Sequence, residues 1–327
     1  MISTKHKIYF LSCVLLLLLF PSFTILSKQS SDKLIWKGDS HAAFTALVQY
    51  QDNLYCAFRN ANMHADISGK DCGVIKIIKS SNGEKWEDFL SFKEDGYDLR
   101  DPQLSVTPTG KMMLLTEKAK YENGKAVTRN SCVSFIKSNG EFTPLQNVNF
   151  DVCQNWNWIW NIEWIDGTAY GFCYAPYFGM VISSDGINYE LVEKINLDGN
   201  PSEASVTKLD KNHLLAVVRR DGLAALGIYN QIEKQWQWKD CDEIIGCPKL
   251  LKVKRDLLVV GRSYKYGLQT SLYKYSKEKQ RLEPLVRIPG GRDCSYPGIT
   301  YRNRRLYVSF YKGNADNSDI YLSNIKY

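Results

Sequence analysis

Residues 203–222, EASVTKLDKNHLLAVVRRDG, open on a carboxylate and end near two guanidinium groups, Arg219 and Arg220. Five other segments share this form: an apolar run, a polar turn, then a second apolar run. Aligned on the first apolar residue after the turn, they carry Arg59, Glu117, Tyr174, Arg262 and Tyr311 where this one carries Arg219. Three of six matching positions are therefore arginine. Guanidinium groups brought together unpaired repel one another, so three in register make sense around a bound anion. A carboxylate suits them, because the planar fork donates two hydrogen bonds at once. Each bond to a charged group contributes roughly 1.5–3 kcal/mol. The alternative is that each arginine caps a strand end and pairs with a local acid. Register favours Arg219 over Arg220 as the inward member.

A second set stands at the starts of the first runs. Glu203 lies eleven residues before its anchor Leu214, Asp101 eleven before Met112, and Tyr296 ten before Leu306. Antiparallel pairing brings these ends to the same face as the arginines. A phenol, with its ordinary pKa near 10, is a poor nucleophile when neutral, and a carboxylate such as Glu203 takes its proton as it attacks. Tyrosine suits a substrate with its own carboxylate beside the reacting carbon, where an anionic nucleophile is repelled. Asp101, in Arg-Asp-Pro, either lines the pocket or holds backbone at a strand start. Alternation in NWNWIWNIEW (155–164) puts Trp156, Trp158, Trp160 and Trp164 on one face. Trp158 is expected to line the site, as a platform for a sugar face, and the others to pack.

These residues need elements that bring distant segments to one place. Helical periodicity is hard to find after residue 35, and short apolar runs broken by Gly, Asn and Asp predict strands. The six hairpins are 44–59, 102–117, 159–174, 204–219, 249–262 and 298–311, with anchors at Leu54, Met112, Ala169, Leu214, Leu257 and Leu306. Intervals of 43 to 58 residues between anchors match the blade repeat of β-propellers. The expected fold is all-β, a six-bladed β-propeller over 35–327, with a pair of sandwiches as the competing architecture. SSNGEKW (80–86), SNGEF (138–142) and SSDGINY (183–189) add tight Asn-Gly or Asp-Gly turns, a degraded Asp-box pattern with a structural role.

Bulk properties narrow the function classes. Hydrophobic residues make up 44% and charged residues 24%, a globular composition. Net charge is +7, three of it from lysines in the first 28 residues, with no basic tract, which argues against nucleic-acid binding. Residues 1–28, a basic start followed by an apolar run, read as a signal peptide or N-terminal membrane anchor. Export is the expected localisation, with membrane contact only through that segment if it is kept. Nine cysteines permit disulfides outside the cytosol, and Cys241 and Cys247 are close enough to close a small loop. Buried free thiols are the simpler reading for most. No Cys-x-x-Cys occurs and the four histidines are scattered along the chain, so neither a metal nor another cofactor is expected.

The stretches AFRNANMH (57–64), LRDPQLSVTPTGKMMLL (99–115), NPSEASVTKLDKNHLLAVVRR (200–220) and GGRDCSYPGITYRNRRLYVSFY (290–311) resemble the sialidase (neuraminidase) superfamily, most closely its bacterial Asp-box branch. The resemblance implies a six-bladed propeller and retaining release of terminal sialic acid from glycoconjugates, with no cofactor. It assigns Arg59, Arg219 and Arg262 to the substrate carboxylate, Tyr296 as nucleophile and Glu203 as its base. The family's acid is an aspartate in the loop after the first arginine. In NANMHADISGKDC that points to Asp66 and, second, to His64, which is otherwise a sugar-contacting or plain loop residue. The family's usual signature around the first arginine is absent, since Asn-Ala follows Arg59. A hydrolase of another acidic sugar and a non-catalytic sialic-acid-binding propeller are the alternatives.

Overall fold

The computed structural model describes residues 31–38, 40–64, 68–69, 72–150 and 155–327. The expected export segment and Asp66 lie outside the described residues. A single strand β1 (Ser31–Trp36) comes first. Then follow β2 (His41–Tyr50), β3 (Asn53–Ala61), β4 (Val74–Ser80) and β5 (Glu87–Phe92), and next β6 (Asp98–Val106), β7 (Met112–Glu122), β8 (Lys125–Phe135) and β9 (Gln146–Asn147). The third group is β10 (Asn149–Phe150), β11 (Ile159–Ile165), β12 (Thr168–Cys173), β13 (Gly179–Ser183) and β14 (Asn188–Lys194). The fourth is β15 (Ala204–Lys208), β16 (His213–Val218), β17 (Ala225–Asn230) and β18 (Gln235–Asp240). The last two are β19 (Ile245–Val253), β20 (Asp256–Ser263), β21 (Gln269–Ser276) and β22 (Arg281–Pro289), then β23 (Asp293–Arg302), β24 (Arg305–Gly313) and β25 (Ser318–Lys326).

The fold is all-β, and all six expected hairpins are present. The expected count of six blades meets a different count of hydrogen-bonded sheets. Among the described residues there are five: one of eight strands, one of five and three of four. The physical reason is a parallel contact, His41 with Ser318, that joins β2 to β25 and fuses the first and last hairpin groups into one sheet. β1 pairs with the outer side of β25, so the start of the described chain is zipped to its end. The first strands β2, β6, β11, β15, β19 and β23 pack each against the next, and β23 returns to β2, closing a propeller-like ring.

Adjacent sheets bury their apolar faces against each other. Ala46, Tyr55, Ile75 and Ile77 of one sheet meet Leu99, Leu104, Met112 and Leu114 of the next, and Leu215, Val217 and Leu226 meet Leu250, Leu257 and Val259. Burying such a side chain contributes about 1.5–3 kcal/mol. On the axis, polar groups bridge the first strands: Lys249 donates to Asn161 and, at 3.4 Å, to Gln103, and Asn161 donates to Ser205 at 3.1 Å. Burial holds Lys249 down to about 8 and raises Glu163 to about 7. The Ser-x-Asn/Asp-Gly turns are self-contained. Ser80 Oγ accepts from Gly83 N at 2.9 Å and Asn82 Oδ1 from Glu84 N at 2.8 Å, while Ser183 and Asp185 repeat the scheme.

One irregularity decides where the site forms. The first strands break register at one end: Ala43/Ala46, Arg100/Gln103, Ile159/Asn161, Gly246/Lys249 and Ser295/Gly298. A bulge bends a strand and re-aims a side chain. Here the bulges hold Phe44, Asp101, Trp160, Cys247 and Tyr296, four of them with left-handed backbone, at φ 59° for Phe44, 46° for Asp101, 45° for Cys247 and 43° for Tyr296. The sixth first strand, β15, begins directly after Glu203.

Candidate functional site

Glu203 and Tyr296 meet at this bulged end, brought from β15 and β23. Tyr296 Oη donates to Glu203 Oε1. The same oxygen accepts from Arg219 Nη1 at 2.7 Å, and Glu203 Oε2 accepts from Cys247 N at 2.8 Å. Arg219 Nη1 also reaches Tyr296 Oη at 3.3 Å. Burial, reinforced by the Glu203 charge, pushes the Tyr296 phenol well above its ordinary range, so it is neutral and needs a base to react. Phe44 meets the Tyr296 ring at 4.8 Å and Trp160 at 6.4 Å, packing it from the bulges of β2 and, across the ring, β11.

Arg262 covers the same tyrosine, its guanidinium 5.1 Å from the ring centroid. Its Nη2 donates to Asp293 Oδ1 at 3.0 Å and to Tyr311 Oη at 2.8 Å, and Nε to Cys294 O at 2.8 Å. Arg219 and Arg262 thus share Tyr296 as a neighbour. Arg59 has other partners. It is wholly buried, donates from Nε to Asp98 Oδ1 at 2.9 Å and from Nη1 to Met63 O at 2.9 Å. Gly73 makes this pair possible: its N donates to Asp98 Oδ1 at 2.8 Å, and a Cβ there would lie 2.4 Å from both Arg59 Nε and Asp98 Oδ1. Each of the three arginines therefore has its own carboxylate, and Arg220 pairs with Asp240 and donates to Leu223 O, away from the site.

Asp101 is buried and its Oδ1 has no hydrogen-bond partner among the described residues. Burial raises its carboxyl to about 6, with Arg100 opposing and Glu203 adding to the rise. Glu117, at the position matching Arg59, has two buried oxygens without hydrogen-bond partners among the described residues, and burial lifts it well above the carboxylate range against the pull of Arg129. His64 reaches Asp293 Oδ2 through Nδ1 at 3.2 Å, and His41 Nε2 stands 3.5 Å from the same oxygen. Against the burial that opposes it, hydrogen bonds from His41, His64 and Tyr311 hold Asp293 well below its usual value.

The tryptophan run departs from simple alternation. The bulge at Ile159/Asn161 turns Trp160 toward Tyr296, while Trp164 packs elsewhere and donates to Ser105 at 3.3 Å. Trp158 is 8% exposed, with the Arg129 guanidinium 4.7 Å over its ring and Tyr174 at 4.8 Å, so its faces are already covered. Cys241 and Cys247 are not joined: both are buried thiols, raised by burial to about 12.

Hairpin register did not bring out His41, Phe44, Asp98, Arg100 or Asp293. Asp98 and Arg100 stand three residues and one residue before Asp101 in YDLRDP, and Asp293 three before Tyr296. These and His41 lie outside the six hairpin segments, whereas Phe44 begins the first of them.

No protein-family model and no curated protein matches the sequence. Solved structures do. A protein of unknown function from Dyadobacter fermentans superposes with a TM-score of 0.77 at 17% identity, over 90% of this chain and 98% of its own. A mutant NanB sialidase from Streptococcus pneumoniae gives 0.67 at 10% identity, over 89% and 70%. Trypanosoma rangeli sialidase gives 0.66 at 13%, over 91% of this chain and 60% of its own, so the chain spans little more than half of that protein. The likeness establishes the fold, a sialidase-like β-propeller.

Proposed function

We propose that this chain is a glycoside hydrolase of sialidase type, an exported exo-α-sialidase on a six-bladed propeller in which the eight-stranded sheet counts as two blades. The carrying observation is the Tyr296–Glu203 hydrogen bond, with Arg219 on both partners. In this reading Glu203 takes the phenolic proton as Tyr296 attacks the anomeric carbon. Arg219 and Arg262 hold the substrate carboxylate on the same side, a task to which Arg59 adds its field from behind Asp98. An acid in the 64–71 loop, Asp66 or His64, protonates the leaving oxygen, and water then releases the sugar with retention. Asp101 offers its unpartnered Oδ1 to a sugar hydroxyl. The partners are sialylated glycans.

The pairing of Arg59 with Asp98 favours, as a second reading, a hydrolase of another acidic sugar, with the same nucleophile and different pocket walls. Hydrolysis of a fluorogenic sialoside tests both: turnover by wild type that is lost in Tyr296→Phe supports the sialidase. No turnover, with release of a different acidic sugar from its own fluorogenic glycoside, supports the second. Sialic-acid binding without any turnover marks a lectin, and turnover that survives Tyr296→Phe overturns the nucleophile.

A further inference from the structure

His41, His64 and Asp293 come from three separate segments: the first residue of β2, the loop after β3 and the first residue of β23. Their ligand atoms His41 Nε2, His64 Nδ1 and Asp293 Oδ2 all lie within 4.8 Å of one another. One carboxylate oxygen faces both imidazoles, at 3.5 and 3.2 Å, at and beyond the long end of ordinary N–H···O hydrogen bonds. Those two separations match the spacing that a shared ion would impose. Ligands bound at about 2.0–2.1 Å in a tetrahedron stand about 3.4 Å apart.

We propose that His41, His64 and Asp293 form a binding site for a divalent transition-metal ion, zinc or a close relative. Two imidazoles and one carboxylate are a donor set suited to such ions, and three protein ligands leave a fourth position open. The support around the carboxylate fits, whereas His41 Nδ1 is buried without a hydrogen-bond partner among the described residues. Tyr311 Oη donates to Asp293 Oδ1 at 2.7 Å and Arg262 at 3.0 Å, so the second carboxylate oxygen is fixed and Oδ2 is left to point at the histidines. His41 is wholly buried, whereas the His64 side chain is 40% exposed, which gives an ion a way in from solvent. The nearby guanidinium groups have carboxylate partners, Arg262 in Asp293 and Arg59 and Arg100 together in Asp98. An ion here would sit beside Asp293, the partner of Arg262, and add positive charge on the side where the substrate carboxylate is held. That role rests on the acidic-sugar reading; the ion site does not.

The test uses the full chain, stripped with a chelator and dialysed. Titration with Zn²⁺ by calorimetry is expected to show one site, weakened at least about tenfold in His64→Ala, a half-exposed position whose truncation leaves the core intact. Co²⁺ is expected to give visible bands without the near-ultraviolet band of a thiolate ligand, and those bands are expected to shift when acetate is added. Absence of Zn²⁺ binding in wild type, equal binding in His64→Ala, or a thiolate band would overturn the site. Cobalt bands indifferent to acetate would overturn the open position. Neither titration reads sialoside turnover, so failure of the hydrolase reading and failure of the ion site are separately visible.

Discussion

Glu203 holds three donors at once: the Tyr296 phenol, the Arg219 guanidinium and the Cys247 amide. A carboxylate fixed this way is aimed at one proton, and Glu203→Gln is expected to lower sialoside turnover by about 10²–10⁴-fold without changing the thermal midpoint by more than a few degrees. The double variant with Tyr296→Phe should be no slower than the worse single, because the two act as a unit; single-turnover kinetics reads this. Gly73→Ala drives a methyl into the Arg59–Asp98 pair, and breaking a buried pair costs about 3–5 kcal/mol. Urea denaturation measures it. Asp101 gives a pH signature. Its folded pKa, about 6, exceeds the ordinary 3.8, so between those values the native state holds a proton that the unfolded chain has lost. Its contribution is therefore most favourable at low pH and declines as pH rises through that window, by about 3 kcal/mol in all. Asp101→Asn removes the dependence, so the variant should gain on wild type between pH 4 and pH 7, with Arg100, Arg59, Glu203 and His64 as the charges nearby.

At the scale of elements, the hairpins were legible and the bulges were not. Apolar runs, polar turns and steady spacing predicted all six hairpins, because both strands of each are buried and each turn carries its own breakers. No residue type marks a bulge, since Phe44, Asp101, Cys247 and Tyr296 share none, yet all four have left-handed backbone. Register put Glu203 and Tyr296 at one end of the ring, and the resemblance supplied their pairing as base and nucleophile. The pairing of Arg59 with Asp98 was not legible, because Asp98 belongs to a strand start whose direction depends on the bulge two residues on. Turn chemistry offers its own check. The β23–β24 turn has positive φ at both Asn303 and Arg304, 51° and 60°. Arg304 is exposed, and Arg304→Gly produces the Asn-Gly pair that such a turn prefers. Relief of left-handed strain, partly offset by a freer unfolded chain, should stabilise the protein by about 0.5–1 kcal/mol in urea denaturation.

At the scale of the molecule, the sheets are held in a ring whose seam lies between the first and last groups of strands. β1 covers β25 with five paired residues, and Ile35 is buried there. Removing residues up to 37 should lower the thermal midpoint and raise light scattering on heating, since the outer edge of β25 would be left unpaired. Retention of the full midpoint would show that the β2–β25 contact alone holds the seam. The seam also sets an order of events. β25 is made after the other strands, yet β2, which carries His41 and Phe44, and β1 need it as a partner. The axis end where Glu203 meets Tyr296 therefore has no finished wall until β25 has been made. Ring closure joins residues almost three hundred positions apart, which makes it a slow and late step in maturation.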